Sequence, residues 1–410
     1  MPDVVIVGAG QAGLAASACL SQHNIDNIVL EKFEIGASWR RQRWESFCLV
    51  TPNWTVRLPG EFYNGADPDG FMLGTEFVTY LENYAGRFTL PVQQKTNVQS
   101  AKLENSRWVV ETSSGPVRAQ ALIVATSTYQ TPSVPAFATR IDPRILSLSA
   151  ASYRVPDRLP NGRVLVVGSA QSGAQIVEDL LTGGREVLLS VSRAGRVPRR
   201  YRGYDAIEWQ DMMGFLDRPA SALDDLRKRF GGEPHMTGRD GGHTVSLQHF
   251  HNQGVRLIGR VCDADKSTLW LEQDLRKNIV GADRFAAGFA EDVGAYISNT
   301  GLDAPPHEPE PDHAPISRPE RFAEPSRLDL AAERISTIIW ATGFKFNFSW
   351  IAADVFDSFG YPITKCGETT APGLYFLGLN YLNSRKSGII YGISEDATHV
   401  ADRIRVFLNT

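Results

Sequence analysis

The sequence predicts an α/β protein with two Rossmann-like dinucleotide-binding domains, the first interrupted by the second. Two strand, glycine-turn, helix units stand 160 residues apart, "DVVIVGAGQAGLAASACL" and "RVLVVGSAQSGAQIVEDLL". A further apolar strand pattern, "STIIWATGF", follows the second unit and is expected to re-enter the first domain. With 410 residues the chain has room for two or three domains and a sizeable core.

In the first unit, residues 3–7 read as a short buried strand, Gly8-Ala9-Gly10-Gln11-Ala12-Gly13 as the turn and residues 14–22 as the helix. Gly8 makes the turn, Gly10 lets backbone approach a pyrophosphate, and Gly13 lets helix pack on strand. The next strand, "NIVLEK", ends at Glu31 and Lys32. A carboxylate there accepts hydrogen bonds from a ribose diol and repels a 2′-phosphate.

The second unit repeats the plan with Gly168-Ser169-Ala170-Gln171-Ser172-Gly173, where Ala170 is a small replacement for the middle glycine. Its following strand, "EVLLSVSR", ends at Ser192 and Arg193 and runs into "RAGRVPRRYR", which carries Arg196, Arg199, Arg200 and Arg202. Guanidinium groups at that strand end suit a 2′-phosphate. For the downstream arginines the alternative is a solvated basic loop. The acid-ended site is therefore expected to hold FAD and the arginine-ended site NADPH, so that a hydride passes between them.

The expected division is 1–155 with 331–410 for the FAD-binding domain and 156–330 for the NADPH-binding domain. Residues 75–85 read as a helix over the first domain, and the stretch from "LPVQQ" to "ALIVAT" as short antiparallel strands returning to the core. "GVRLIGRV" reads as a strand of the second domain. Residues 301–325, rich in Pro and acids, read as a long surface crossover, with a cover over the active site or a subunit contact as the alternative. The tail "SGIIYGISEDATHVADRIRVFL" has helical spacing, and a helix starting at Ser387 and Gly388 turns its positive end toward the flavin.

A net charge of −4, 42% hydrophobic residues and no run of ~18 apolar residues give no support to nucleic-acid or membrane partners. The N-terminus lacks a basic lead, so a cytoplasmic location is expected. Cys19, Cys48, Cys262 and Cys366 form neither a close pair nor a disulfide framework. His243, His249 and His251 cluster without a third ligand type at matching spacing, so no metal is expected.

Taken together, "GAGQAG" with Glu31, "GASWR", "TPN", "VATS", "GSAQSG", "ATGF" and the tail from Gly378 to Asp396 resemble the flavin-containing monooxygenase superfamily, including its bacterial class B members. The resemblance covers essentially the whole chain and implies the wider glutathione-reductase-like plan. One stretch departs: where the family carries FxGxxxHxxx(Y/F), this chain has "PRILSLSAASY", and Tyr153 alone fits.

The resemblance implies that NADPH reduces FAD and that O2, as co-substrate, forms a flavin hydroperoxide. That species then oxygenates a nitrogen, sulfur or carbonyl centre of a small-molecule substrate. It places Asn53 near the oxygen-reactive edge of the flavin, with closure of a Pro-Asn turn as the alternative. It places Trp39, Arg40, Val98, Thr126, Thr342, Gly343, Asn380, Ser387 and Gly388 around the cofactors, and Arg385 and Tyr391 in the pocket. A homodimer is left open. The rival readings are an NADPH oxidase or flavin dehydrogenase, a disulfide reductase using Cys48, and a redox-sensing nucleotide-binding module.

Overall fold

In the computed structural model, which describes residues 1–409, the strand Val4–Val7 is buried along its whole length. It lies at the centre of a five-stranded parallel sheet, ordered Leu374–Phe376, Ala121–Val124, Val4–Val7, Asn27–Leu30, Val92–Gln93. A strand covered on both faces needs apolar residues without alternation, which is what "VVIV" supplies. The helix Gln11–Gln22 follows directly. Its Leu14, Ala15 and Ala18 share one core with Ile393, Ala397, Val400 and Ile404, the buried stripe of the C-terminal helix Ile390–Leu408.

The second parallel sheet is ordered Leu146–Ser149, Ile335–Trp340, Arg163–Val167, Val187–Ser190, Arg256–Ile258. Here the sequence expectation is corrected. Ile335–Trp340 enters the second sheet, pairing Val167 with Trp340, and does not return to the first. Leu146–Ser149 belongs to the same sheet, so the second unit draws on strands outside 156–330. A short apolar run signals a buried strand but carries no information about its partner, since parallel pairing is decided by tertiary packing.

The two glycine turns are built alike. A methyl group at Gly8 would lie 2.8 Å from the Ala125 carbonyl oxygen, and one at Gly168 would lie 2.5 Å from that of Ala341. Each turn therefore presses on the chain leaving a neighbouring strand, and this brings residues 125–128 and 341–344 to the carboxyl ends of the sheets. The antiparallel strands Val98–Glu104, Arg107–Thr112 and Val117–Ala119 form as expected, with Ile351–Ala352 added at the edge.

One large element was not foreseen, the helix Leu275–Thr300. Its signal is present: Leu275, Ile279, Ala282, Ala286, Phe289 and Val293 are buried at alternating spacings of four and three. It stops where Gly301 takes φ +71. The Pro-rich segment after it makes two short 3-10 turns, Pro311–His313 and Pro319–Arg321, and its Ile316 and Phe322 pack on the main core.

The basic loop is mostly internal. Arg199 is only 1% exposed. It donates two hydrogen bonds of 2.8 Å to the Asp205 carboxylate and a third, also 2.8 Å, to the Val50 carbonyl. Asp205 in turn caps the helix Ala206–Met212 by accepting from the Ile207 N–H. Arg196 pairs with Asp283 at 2.8 Å, and Arg202 donates to the carbonyls of Ala304 and Pro305. One arginine thus joins the loop after Leu49 to a helix of the second unit.

Removing one partner of a buried pair strands the other, which typically costs about 3–5 kcal/mol, whereas replacing both by apolar residues is often neutral. Asp205→Ala is therefore expected to lower stability by about that amount in urea unfolding, and Arg199→Met with Asp205→Leu to recover most of the loss. A single variant as stable as the parent would remove the pair from this role.

Candidate active site

A cavity of about 1240 Å³ runs between the carboxyl ends of the two parallel sheets. Gly8, Gly10, Gln11, Ala12, Glu31 and Lys32 line its first half, with Trp39, Val98 and Thr126. Gly168, Ala170, Gln171, Ser172 and Ser192 line the second half. Thr342, Gly343, Asn380 and Gly388 lie on the wall where the halves meet.

A methyl group on Gly10 would meet nothing within 4 Å, so the backbone there faces open space. The Glu31 carboxylate accepts the Ala9 N–H at 2.8 Å through one oxygen and the Phe33 N–H at 2.9 Å through the other, which fixes it at the strand end. Its remaining lone pairs are available to a diol. Trp39 donates its indole N–H to Gln11 at 3.0 Å. In the second half no acid takes the corresponding place: the Ser192 N–H donates to Ser169 Oγ at 2.9 Å.

Eight of the expected residues lie off the wall. Gly13 and Gly173 are packing residues, since a methyl group on either would come within 1.8 or 1.9 Å of the Gly8 or Gly168 carbonyl oxygen. Arg40 is on the surface, paired with Glu82 at 2.7 Å. Arg193 is exposed beyond the strand end, and Arg200 is exposed, donating to the Gly241 carbonyl at 3.5 Å and approaching Asp205 at 3.9 Å. Ser387 is fully buried, accepting N–H groups from Asn383 and Ser384 in the 3-10 turn Arg385–Gly388. The C-terminal helix starts at Ile390, later than expected, and it is Gly388, Ile389 and Ile390 that face the cavity.

Asn53 has both ends of its amide committed to backbone. Its oxygen accepts the Met72 N–H at 2.8 Å and its nitrogen donates to the Asp67 carbonyl at 2.9 Å. It is buried behind Val50 and Thr51, which line the cavity in its place, so this geometry is that of a loop clamp. Tyr391 donates to Asp211 at 3.0 Å and packs edge-on against Trp54, outside the wall. Tyr153 donates to Asp179 at 2.6 Å, and Ser46 reaches the other carboxylate oxygen at 2.5 Å.

Several wall residues carried little signal in the sequence. In "WRRQR", Arg40 and Arg41 pair with Glu34 and Glu82, but Arg43 turns inward. Its guanidinium lies over Trp39 and Phe47, 5.4 and 5.3 Å from the ring centres. Its hydrogen bond goes to the Gln42 carbonyl, and no carboxylate pairs with it among the described residues. Desolvation lowers its pKa, the mark of a cation held without a counter-charge.

A strap closes over the junction. Arg229 pairs with Asp357 at 3.6 Å, Phe230 packs with Phe346 and Tyr361, and Glu233 pairs with Arg385, which also lines the cavity. Beyond it lies an apolar lobe walled by Val50, Ile207, Met213, Leu216, Met236 and Phe289, with the Gln210 amide among them. Among the described residues no cysteine lies on the wall. Cys48 is half-buried, and burial raises its thiol pKa. The three histidines diverge: His243 bonds Glu178 at 2.6 Å, His249 stacks on His313 and His251 packs against Phe322. Among the described residues no helix is long and apolar enough to cross a membrane.

Comparison with known proteins agrees with this architecture. The family model for pyridine nucleotide-disulphide oxidoreductases matches residues 5–203. An uncharacterized CzcO-like oxidoreductase of Geobacillus kaustophilus is 32% identical, the alignment covering 98% of each chain. Indole-3-pyruvate monooxygenase YUCCA1 of Oryza sativa subsp. japonica is 27% identical over 98% of this chain and 91% of its own.

Among solved structures, the flavin-containing monooxygenase from Stenotrophomonas maltophilia superposes with a TM-score of 0.66 at 18% identity, covering 99% of both chains. The bacillithiol disulfide reductase from Staphylococcus aureus gives 0.62 at 11%, covering 99% of this chain and 98% of that one. Fold and site together define an oxidoreductase with two dinucleotide-binding units, a plan it shares with flavin-containing monooxygenases and disulfide reductases. Within that plan, the chain belongs to the family of the CzcO-like oxidoreductases.

One buried group beside the second glycine turn has a measurable signature. His235 is fully buried and neither ring nitrogen makes a well-formed hydrogen bond. Burial pushes its pKa down from 6.5 to about 4, the nearby Ser169 backbone opposes this in part, and Arg196 adds to it. The unfolded chain therefore binds a proton near pH 6.5 that the folded chain refuses until about pH 4. Stability contributed by this group is complete above pH 6.5 and falls with pH through that window, by ~3 kcal/mol in all. His235→Leu is expected to flatten that part of the pH–stability curve relative to the parent, and an unchanged slope would refute the assignment.

Proposed function

We propose that the protein is an NADPH-dependent, FAD-containing monooxygenase that transfers an oxygen atom from O2 to a nitrogen, sulfur or carbonyl centre of a small organic molecule. The observation that carries this reading is that two dinucleotide turns with different ribose ends open into one cavity. The residues of the first half fit FAD: open backbone at Gly10, a fixed carboxylate at Glu31, the uncompensated cation of Arg43, and the N-terminus of the final helix. FAD bound there would accept the hydride and provide the centre for oxygen activation.

On this reading, Glu31 accepts from the adenosine ribose, and Arg43 offsets phosphate or flavin charge. The helix N-terminus at Ile389 and Ile390 favours negative charge at the end of the cavity. Gly168, Ala170 and Ser192 bring NADPH to the opposite wall. The strap and the apolar lobe exclude water from the space between. The absence of cysteine from the cavity wall, among the described residues, disfavours disulfide reduction, despite the likeness to a bacillithiol disulfide reductase. The name of the rice relative, a monooxygenase, points the same way.

The test is anaerobic stopped-flow mixing of the flavin-loaded protein with NADPH and with NADH, followed by oxygen and a panel of sulfides, amines and ketones. Fast reduction favouring NADPH, with 18O from O2 recovered in one product, is the expected result. Stoichiometric hydrogen peroxide with every substrate would convert the assignment to an oxidase, and no reduction by either nucleotide would end it.

Arg43 supplies a separate check. A hydrogen bond to a charged group contributes about 1.5–3 kcal/mol, so Arg43→Met is expected to weaken FAD binding about 10- to 100-fold in fluorescence titration of the apoprotein. Unchanged affinity would place Arg43 outside the FAD site.

A further inference from the structure

We propose that the adenosine end of the pyridine nucleotide is gripped by the long helix Leu275–Thr300, with Arg284 taking the 2′-phosphate and Phe285 stacking on the adenine. The inference rests on the NADPH reading above and assigns the specificity of that site to residues outside the glycine turn and its following strand.

The basic loop cannot supply this grip by itself. Arg196, Arg199 and Arg202 are committed to Asp283, Asp205 and backbone carbonyls, and Arg200 lies off the cavity wall. Arg193 is the loop's remaining cation near the strand end, and it too lies off the wall.

The helix turn 283–285 is fastened onto this loop at two points. Asp283 accepts from Arg196 at 2.8 Å. Phe285 lies so close over Gly195 that a methyl group there would come within 2.5 Å of the ring. The turn therefore sits directly beside the Ser192–Arg193 strand end, where the second ribose of a bound dinucleotide belongs.

Two features of that turn point to a ligand. Phe285 remains 51% exposed although it lines the cavity, an unusual position for a large aromatic ring unless a planar group covers it. Arg284 lines the same cavity, is exposed, and makes no ion pair or hydrogen bond among the described residues. Arg260, the other arginine on this stretch of wall, already has Asp274 at 3.6 Å and Glu272 at 3.8 Å. A free guanidinium next to an uncovered aromatic ring matches a nucleotide with a phosphate beside its base.

The experiment is isothermal titration of the flavin-loaded protein with 2′,5′-ADP and with 5′-AMP, which needs no turnover. The parent is expected to bind 2′,5′-ADP at least tenfold more tightly. Arg284→Ala is expected to erase most of that ratio while leaving 5′-AMP affinity unchanged, and Arg284→Lys to restore part of it. Phe285→Ala is expected to weaken both ligands by a similar factor of several-fold and leave the ratio intact. Parent protein with no preference between the ligands would overturn the NADPH reading itself. A preference that survives Arg284→Ala, or that disappears only in Arg193→Ala, would overturn the present inference and leave the NADPH reading standing. Flavin content and circular dichroism equal to the parent's show that each variant is folded.

Discussion

A methyl group at Gly13 would lie 1.8 Å from the Gly8 carbonyl oxygen, and one at Gly173 would lie 1.9 Å from that of Gly168. In both units, then, helix and turn meet more closely than any side chain permits. This contact sets the height of each helix above its sheet and so the direction in which its first N–H groups point. The same two turns press on Ala125 and Ala341, which places the strand-end loops opposite one another. The cavity between the sheets is a result of these backbone contacts, and the side chains that line it are added to a frame already determined.

Around that frame, the two halves are held by buried polar ties. Arg199 links the Val50 carbonyl to the cap of Ala206–Met212, and Asp179 gathers Tyr153 and Ser46. Such ties specify geometry more than they add stability, because desolvation offsets much of their attraction. Each lies one residue layer behind the wall and positions Val50, Ile207 or the second glycine helix without facing the cavity. Asn53 works in the same way, holding the loop that presents Thr51.

The sequence was most legible where local chemistry sufficed. The glycine turns, Glu31, Ser192 and the final helix all have signals within twenty residues, and the structure puts them on or beside the cavity. It was least legible where identity depends on a distant partner. Ile335–Trp340 reads as a strand, but its neighbour lies over 160 residues away. The arginines of "RAGRVPRRYR" look equivalent in a string, yet Asp205 and Asp283 withdraw two of them from solvent. Arg43 and Arg40 differ in the same way, one facing inward and the other paired outside. The helix Leu275–Thr300 had a readable period, masked by charged residues and three glycines on its open side.

That helix packs against the second glycine unit and its basic loop and contributes to neither parallel sheet. Within little more than one turn it moves from Phe285, beside the Ser192 strand end, to Phe289, in the wall of the apolar lobe. A single surface element therefore borders both the strand end proposed above for NADPH and the apolar lobe of the cavity. On the reading proposed above, substitutions on this helix retune nucleotide or substrate preference while both glycine turns stay intact.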